Sequence, residues 1–66
     1  MKILFNGKEI LAEDGMTIAG LLEQRQLKPE TVIVELNFQL VKKEKWSDTP
    51  LKENDSIEVL RFVGGG

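Results

Sequence analysis

The 66-residue sequence contains no cysteine and no histidine. The lack of cysteine excludes disulfide bonds and thiolate metal sites, and the lack of histidine removes the commonest metal ligand and the commonest general base near neutral pH. No apolar run approaches the length of a membrane-spanning helix, and no basic-then-apolar leader opens the chain. The fold must therefore depend on hydrophobic packing, and we expect a cytoplasmic protein without a bound metal.

An excess of positive charge is also absent. Nine basic against eleven acidic residues give a formal charge of −2, which argues against nucleic acid as a partner because such binding needs a concentrated basic face. The run Lys42-Lys43-Glu44-Lys45 is interrupted by an acid and is typical of a solvated turn. The length allows one domain. We expect it to cover residues 1–63, followed by a flexible glycine tail over residues 64–66.

Alternating apolar residues predict a hairpin at the start of the chain. Ile3 and Phe5 share one face of a strand over residues 2–5. Asn6-Gly7 supplies the positive φ values that a type I′ turn requires. Residues 8–12 should therefore return as an antiparallel strand.

An amphipathic helix is predicted next. Thr17 can cap its N-terminus, because the threonine hydroxyl accepts a hydrogen bond from the free N–H groups of the first turn. The apolar stripe has i, i+3, i+4 spacing and consists of Ile18, Leu21 and Leu22. We expect the helix to end near Gln26 or Leu27, because Pro29 disfavours helical geometry at the residue before it.

Three further strands are predicted in the second half of the chain. They span residues 32–36, 39–41 and 57–63. A turn at Asn37-Phe38 joins the first two, and an irregular segment over residues 42–50, with one helical turn around Trp46, precedes a turn at residues 52–55. We interpret Trp46 as a packing cover for a small core rather than a binding platform.

The element order β-β-α-β-β-β predicts an α+β fold. The first and last strands can lie side by side through a long-range pairing, with the helix packed across one face of a mixed four- to five-stranded sheet. This is the β-grasp, or ubiquitin-like, arrangement. A ferredoxin-like sandwich would need a second helix, and residues 42–50 are too short and too irregular to supply one.

The last strand leads into the glycine tail, Gly64-Gly65-Gly66. Glycine has no side chain to bury and no Cβ to restrict φ, so we expect this end to be thin and loose. It can extend at most ~10 Å beyond the strand, and it would offer the Gly66 carboxylate to other molecules. A glycine run taken alone is also consistent with a frayed end or an expression remnant.

Two apolar residues of the last strand are candidates for partner docking. If Ile57 and Val59 face the helix, Leu60 and Phe62 face outward beside the tail. Isolated apolar residues are normal on protein surfaces. The residues alone are therefore equally consistent with a second interpretation, in which Leu60 and Phe62 only cover the back of the sheet.

Several segments distributed over the chain form one pattern. They are Ile3-Leu4-Phe5-Asn6-Gly7, Gly15-Met16-Thr17-Ile18 with Leu21-Leu22, Val34-Glu35-Leu36-Asn37, Trp46, Leu51 with Asp55, and Phe62-Val63-Gly64-Gly65-Gly66. In these segments the sequence resembles the ThiS family, the ubiquitin-like sulfur carriers of thiamine biosynthesis. Phe38 and Asn54 depart from the family pattern, in which glycine is common. Asn54 tolerates left-handed geometry, whereas Phe38 fits a primed turn less well.

The resemblance implies a carrier rather than an enzyme. A ThiF-type enzyme using ATP and magnesium would adenylate the Gly66 carboxylate, a cysteine desulfurase or another donor would supply sulfur, and a ThiG-type thiazole synthase would receive it from the resulting thiocarboxylate. Gly65 and Gly64 would thread the partners' active sites, and docking would fall to Leu60, Phe62 and Val63. The chain itself has neither a phosphate-binding loop motif nor a nucleophile paired with a base.

Two other functions remain open from the sequence. One is another diglycine protein of ubiquitin type, either a molybdopterin-type sulfur carrier or a modifier attached to lysines of target proteins. The other is a β-grasp interaction module whose glycines have no function. The short length and the segment around Trp46 favour the thiamine branch.

Overall fold

Two β-hairpins, one α-helix and a single additional strand make up the fold. The computed structural model describes residues 1–62. The regular elements are β1 (Lys2–Phe5), β2 (Lys8–Leu11), α1 (Ile18–Gln24), β3 (Val32–Leu36), β4 (Gln39–Val41) and β5 (Ser56–Arg61). Short 3-10 helices occupy Pro29–Thr31 and Lys43–Asp48. No helix within the described residues is long and apolar enough to cross a membrane.

The five strands form one mixed sheet in the order β2-β1-β5-β3-β4. The last strand therefore lies in the middle. It runs parallel to β1, with Phe5 opposite Ile57, and antiparallel to β3, from the pair Val32 and Arg61 to the pair Leu36 and Ile57. The predicted pairing of the first and last strands is confirmed, and so is the β-grasp arrangement with one main helix.

The predicted strand bounds agree closely with the structure. Those of β1, β3 and β4 match the prediction residue for residue, and β2 ends one residue earlier than expected. The predicted final strand over residues 57–63 begins one residue earlier, at Ser56, and its last ladder residue is Arg61. Val63, at which the predicted domain ended, lies outside the described residues.

The helix begins as predicted and ends early. Thr17 Oγ1 accepts a hydrogen bond from the Gly20 N–H over 3.0 Å. The last helical residue is Gln24, two residues before the earlier of the two predicted ends. The cause is Gln26, which adopts φ +59 and whose N–H donates to the Glu23 carbonyl while the Leu27 N–H donates to the Leu22 carbonyl. This pair of hydrogen bonds is a Schellman end, a geometry usually adopted with glycine.

The core lies between α1 and the face of the sheet that it covers. Its buried apolar residues are Ile3, Ala12, Ile18, Leu21, Leu22, Val32, Val34, Trp46, Leu51, Ile57 and Val59. The helical stripe predicted from spacing is fully buried. Trp46 is 4% exposed, and its indole N–H donates to the Val41 carbonyl over 2.8 Å. The predicted packing role of this tryptophan is therefore confirmed.

Both hairpin turns have left-handed geometry at their two central residues. Asn6 and Gly7 have φ values of +51 and +85, as predicted for a type I′ turn, and Asn37 and Phe38 have φ values of +51 and +71. Phe38 therefore adopts the primed turn that it fits poorly. Its ring is 82% exposed, so packing offers little compensation for this geometry.

Candidate functional site

The candidate site is built around the end of β5. On its β3 side, Arg61 lies opposite Val32, and the Phe62 N–H donates to the Thr31 carbonyl over 3.0 Å. The chain is thus bonded to the sheet up to Phe62. Val63 and the tail glycines lie outside the described residues, so the roles assigned to Gly66, Gly65, Gly64 and Val63 stay predictions.

The strand presents different residues on its two sides. Ile57 and Val59 face the helix and are 0% and 8% exposed, whereas Leu60 and Phe62 are 48% and 46% exposed. The predicted orientation is confirmed. A docking role for Leu60 and Phe62 stays a prediction, although both side chains are accessible in the described part of the chain.

Leu60 and Phe62 belong to a larger exposed apolar surface. Ile33 lies directly opposite Leu60 in the β3–β5 ladder, and Leu40 lies on the adjacent β4. Both are exposed. We call this set of Ile33, Leu40, Leu60 and Phe62 the outer patch. Neither Ile33 nor Leu40 was predicted as a site residue, because their proximity to Leu60 depends on the strand order.

Negative charge lies within the same face of the sheet. Glu35 and Glu58 are directly opposite each other on β3 and β5, an arrangement that is unfavourable for like charges on adjacent strands. Neither glutamate forms an ion pair with another residue among residues 1–62. The ion pairs in this range join the Met1 amino group to Asp14 and Lys2 to Glu9. The face is therefore suited to a partner surface that is apolar and carries a lysine or arginine.

A cleft opens at the end of β5. It has a volume of about 430 Å³ and is lined by Gln26, Lys28, Thr31, Arg61 and Phe62. This cleft was not predicted from the sequence, because the residues after the helix meet Arg61 only through the pairing of β3 with β5. Two cations line this cleft, in contrast to the acidic pair on the sheet face.

Two turn asparagines bond to β5 through their side chains. Asn6 Oδ1 accepts from the Val59 N–H over 2.7 Å, and Asn6 Nδ2 donates to the Val59 carbonyl over 3.2 Å. Asn37 Oδ1 accepts from the Ser56 N–H over 2.9 Å, and Asn37 Nδ2 donates to Asp55 Oδ1 over 3.0 Å. Left-handed geometry at Asn6 was predicted from the sequence, whereas these contacts were not.

Asp55 connects the second asparagine to the preceding turn. Its side chain is 8% exposed, and its Oδ2 accepts from the Lys52 N–H over 2.7 Å. With Asn37 as the second donor, both carboxylate oxygens have partners. Within residues 1–62, no group of three or more aspartate, glutamate, histidine or cysteine side chains is arranged to hold a metal ion.

The fold and the site together define a class of protein. A five-stranded mixed sheet with one main helix, whose central last strand leads towards a glycine run, is characteristic of ubiquitin-like β-grasp proteins. The chain belongs to the ThiS family, whose family model matches residues 2–66.

Individual relatives agree with this assignment. The chain is 42% identical over 62 residues to the sulfur carrier protein ThiS of Bacillus subtilis, covering 92% of this chain and 94% of that protein. The crystal structure of the thiamine biosynthesis protein ThiS from Geobacter metallireducens superposes with a TM-score of 0.87 at 32% identity, and the match covers 100% of both chains.

A different kind of relative is much longer. The chain is 44% identical over 66 residues to a thiazole synthase of Magnetococcus marinus, and the match covers all of this chain but 20% of that protein. The chain thus spans about a fifth of the length of this relative and nearly the full length of the two ThiS proteins.

Proposed function

We propose that this protein is a sulfur carrier of thiamine biosynthesis and that the Gly66 carboxylate is the group that receives the sulfur. The observation that carries the proposal is the ThiS family match, which extends through Gly66. The sulfur carrier protein of Bacillus subtilis supports it through its sequence, and the Geobacter protein supports it through its fold.

The proposed chemistry begins with activation. A terminal carboxylate is an anion at neutral pH and a poor electrophile. A carboxylate oxygen of Gly66 attacks the α-phosphorus of ATP in a ThiF-type partner, and magnesium pyrophosphate leaves. A sulfur nucleophile then attacks the acyl carbon and AMP leaves. When the nucleophile is free sulfide, the product is the thiocarboxylate itself. When it is the persulfide of a cysteine desulfurase or another donor, the product is an acyl disulfide, and a thiol then reduces its S–S bond, which leaves the thiocarboxylate on Gly66 and oxidises the thiol to a disulfide.

In this scheme the folded body docks and the tail is delivered to the partner. The outer patch supplies accessible apolar surface beside the chain end, and Glu35 with Glu58 would attract a cationic residue of the partner. Gly65 and Gly64 allow Gly66 to pass through narrow channels, because they carry no side chains. Catalysis is assigned to the partners, and ATP and magnesium are bound there. The cytoplasmic location stays a prediction.

A thiazole synthase of the ThiG type is the proposed acceptor of the sulfur. The support is the thiazole synthase of Magnetococcus marinus, a fifth of which matches this chain. A segment similar to this chain within a thiazole synthase is the arrangement expected if the carrier delivers its sulfur to the synthase. The ThiF-type enzyme and the cysteine desulfurase are proposed from the family resemblance.

Intact-mass spectrometry tests the proposal. The chain is incubated with ATP, magnesium, a ThiF-type enzyme from the same organism and a sulfide source. We expect a mass change equal to replacement of one oxygen by sulfur, located at Gly66 by fragmentation. A matched control carries one additional alanine after Gly66 and should remain unchanged. Attachment of the chain to lysines in cells, without sulfur incorporation, would instead identify a protein modifier.

A further inference from the structure

The ladder between β1 and β5 is short, and one side chain continues it. Its paired residues are Leu4 with Ser56 and Phe5 with Ile57, and the Asn6 N–H donates to the Ile57 carbonyl over 2.9 Å. The chain then reverses at Asn6-Gly7 to form β2. No further backbone of β1 is therefore available to pair with Val59.

The Asn6 side chain takes the place of the missing backbone. A carboxamide has the same donor and acceptor as a peptide group, and that of Asn6 bonds both the N–H and the carbonyl of Val59, at 2.7 and 3.2 Å. These contacts join residues 53 positions apart in sequence. Val59 thus has a partner on the β1 side two residues before the last ladder residue, Arg61.

Beyond Val59 the strand has described partners only on its β3 side. These are the pairing of Arg61 with Val32 and the hydrogen bond from the Phe62 N–H to the Thr31 carbonyl. Within residues 1–62, the Asn6 amide is therefore the last hydrogen-bonding partner of β5 on the β1 side. The residues that follow carry the exposed Leu60 and Phe62 side chains and lead to the tail.

We propose that Asn6 is a positioning residue for activation of the tail. By holding Val59, its amide fixes the direction in which β5 leaves the sheet and the orientation of Leu60 and Phe62 relative to that direction. A partner that docks on these side chains then finds the point at which the tail leaves Phe62 at a constant place. This inference rests on the proposed function, because it concerns delivery of the same terminus.

The structure provides a matched control for this inference. Asn37 occupies the equivalent place in the other hairpin turn, with the same φ of +51, and its amide bonds Ser56 and Asp55 at the opposite end of β5. Asn6→Gly and Asn37→Gly each remove a carboxamide at a left-handed position that glycine tolerates without strain. Asn37→Gly also deprives the buried Asp55 carboxylate of a donor, so it should destabilise the fold at least as much.

The test measures kcat for adenylation by the ThiF-type enzyme at a saturating concentration of each chain and at a temperature where all variants are folded. We expect Asn6→Gly to lower kcat by about 10- to 100-fold, the scale of misplaced reacting groups. Asn6→Asp keeps an acceptor for the Val59 N–H and should recover part of this loss. Asn37→Gly should retain the wild-type kcat, and only in Asn6→Gly should the Val59 amide exchange faster relative to the other amides of β5.

Two outcomes would overturn the inference while leaving the proposed function intact. A wild-type kcat for folded Asn6→Gly would show that the amide does not position the chain end. Equal losses in Asn6→Gly and Asn37→Gly would show a general effect of destabilisation. If the wild-type chain itself is not adenylated, the proposed function fails, and the inference fails with it.

Discussion

The two faces of the sheet carry similar apolar residues that differ in their exposure to water. On the helix-covered face, Ile57 and Val59 of β5 are 0% and 8% exposed, whereas on the open face Leu60 of the same strand is 48% exposed. The first face has its partner within the chain, and its residues stabilise the fold. The second leaves apolar side chains in water beside Glu35 and Glu58, which form no ion pair within residues 1–62, and this composition fits the docking role predicted for it. Hydrophobicity alone therefore does not separate the buried residues of β5 from the exposed ones, whereas the alternation along the strand does.

The largest loss of stability is expected from the covered face. Ile57→Ala removes a fully buried side chain from the central strand and should lower the free energy of unfolding by about 2–5 kcal/mol. A chain this short has a thin stability margin, so a large unfolded fraction is expected at 37 °C. Urea unfolding followed by far-UV circular dichroism measures the change, with Leu60→Ala as the matched control. Equal destabilisation by both variants would contradict the division between the faces.

A smaller loss of stability and a larger loss of binding are expected on the open face. Leu60→Ala and Phe62→Ala should each cost no more than roughly 1 kcal/mol of stability, because about half of each side chain is already exposed. Their affinity for the ThiF-type enzyme should fall about tenfold or more, as for apolar anchors of an interface. Isothermal titration calorimetry with folded variants measures this. Unchanged affinity in both would assign these residues to covering the sheet.

Phe38 tests whether exposure alone makes a docking residue. Its ring is more exposed than Leu60 but lies in the β3–β4 turn, outside the outer patch. Phe38→Gly relieves a left-handed φ of +71 and should stabilise the fold by about 0.5–1 kcal/mol, since relief of 1–2 kcal/mol is partly offset by the greater entropy of glycine in the unfolded chain. Affinity for the partner should not change, which the same titration checks. A loss like that of Phe62→Ala would extend the interface to this turn.

The smallest change in stability is expected from the tail glycines. Gly65→Ala and Gly64→Val should leave the urea midpoint unchanged, because both residues are predicted to lie in the tail that follows the last strand. Both should slow adenylation, because a side chain obstructs passage through the partner's channel. Pyrophosphate release measured at equal chain concentrations gives the rates. Normal activation of either variant would count against the threading role, while leaving the docking surface unaffected.

Local patterns were sufficient to predict most of the fold. Alternation located β1, β3 and β4, and the Asn6-Gly7 pair located the first hairpin, because these signals depend on neighbours in sequence. The early end of α1 was missed because Gln26 adopts the left-handed geometry at the helix end. Glycine is usual at this position, and a glutamine does not indicate a helix end in the sequence. The 3-10 turn at Pro29–Thr31 was missed as well, although proline at its first position is typical of a helix start.

The candidate site was predicted less completely, for a physical reason. Leu60 and Phe62 could be placed outward from alternation within one strand. Ile33 and Leu40 join them because β3 lies beside β5, a pairing that was not predicted. The pairing of β1 with β5 was predicted, but the contact of the Asn6 amide with Val59 depends on the register of that pairing, which no local pattern in either strand encodes. The roles of Gly64, Gly65 and Gly66 come from family resemblance and remain to be tested by the experiments above.

The central position of β5 has a consequence for how the protein is made. Among the five strands, β5 leaves the ribosome last, yet it is the strand that joins the β1–β2 hairpin to the β3–β4 hairpin. Until it emerges, the two hairpins share no ladder, and an incomplete nascent chain cannot assemble the sheet. The segment proposed to deliver the chain end for activation is therefore also the one that completes the body. A polypeptide that ends before residue 56 lacks the strand between the two hairpins, so under the proposed function we expect that it neither folds nor competes for the activating enzyme.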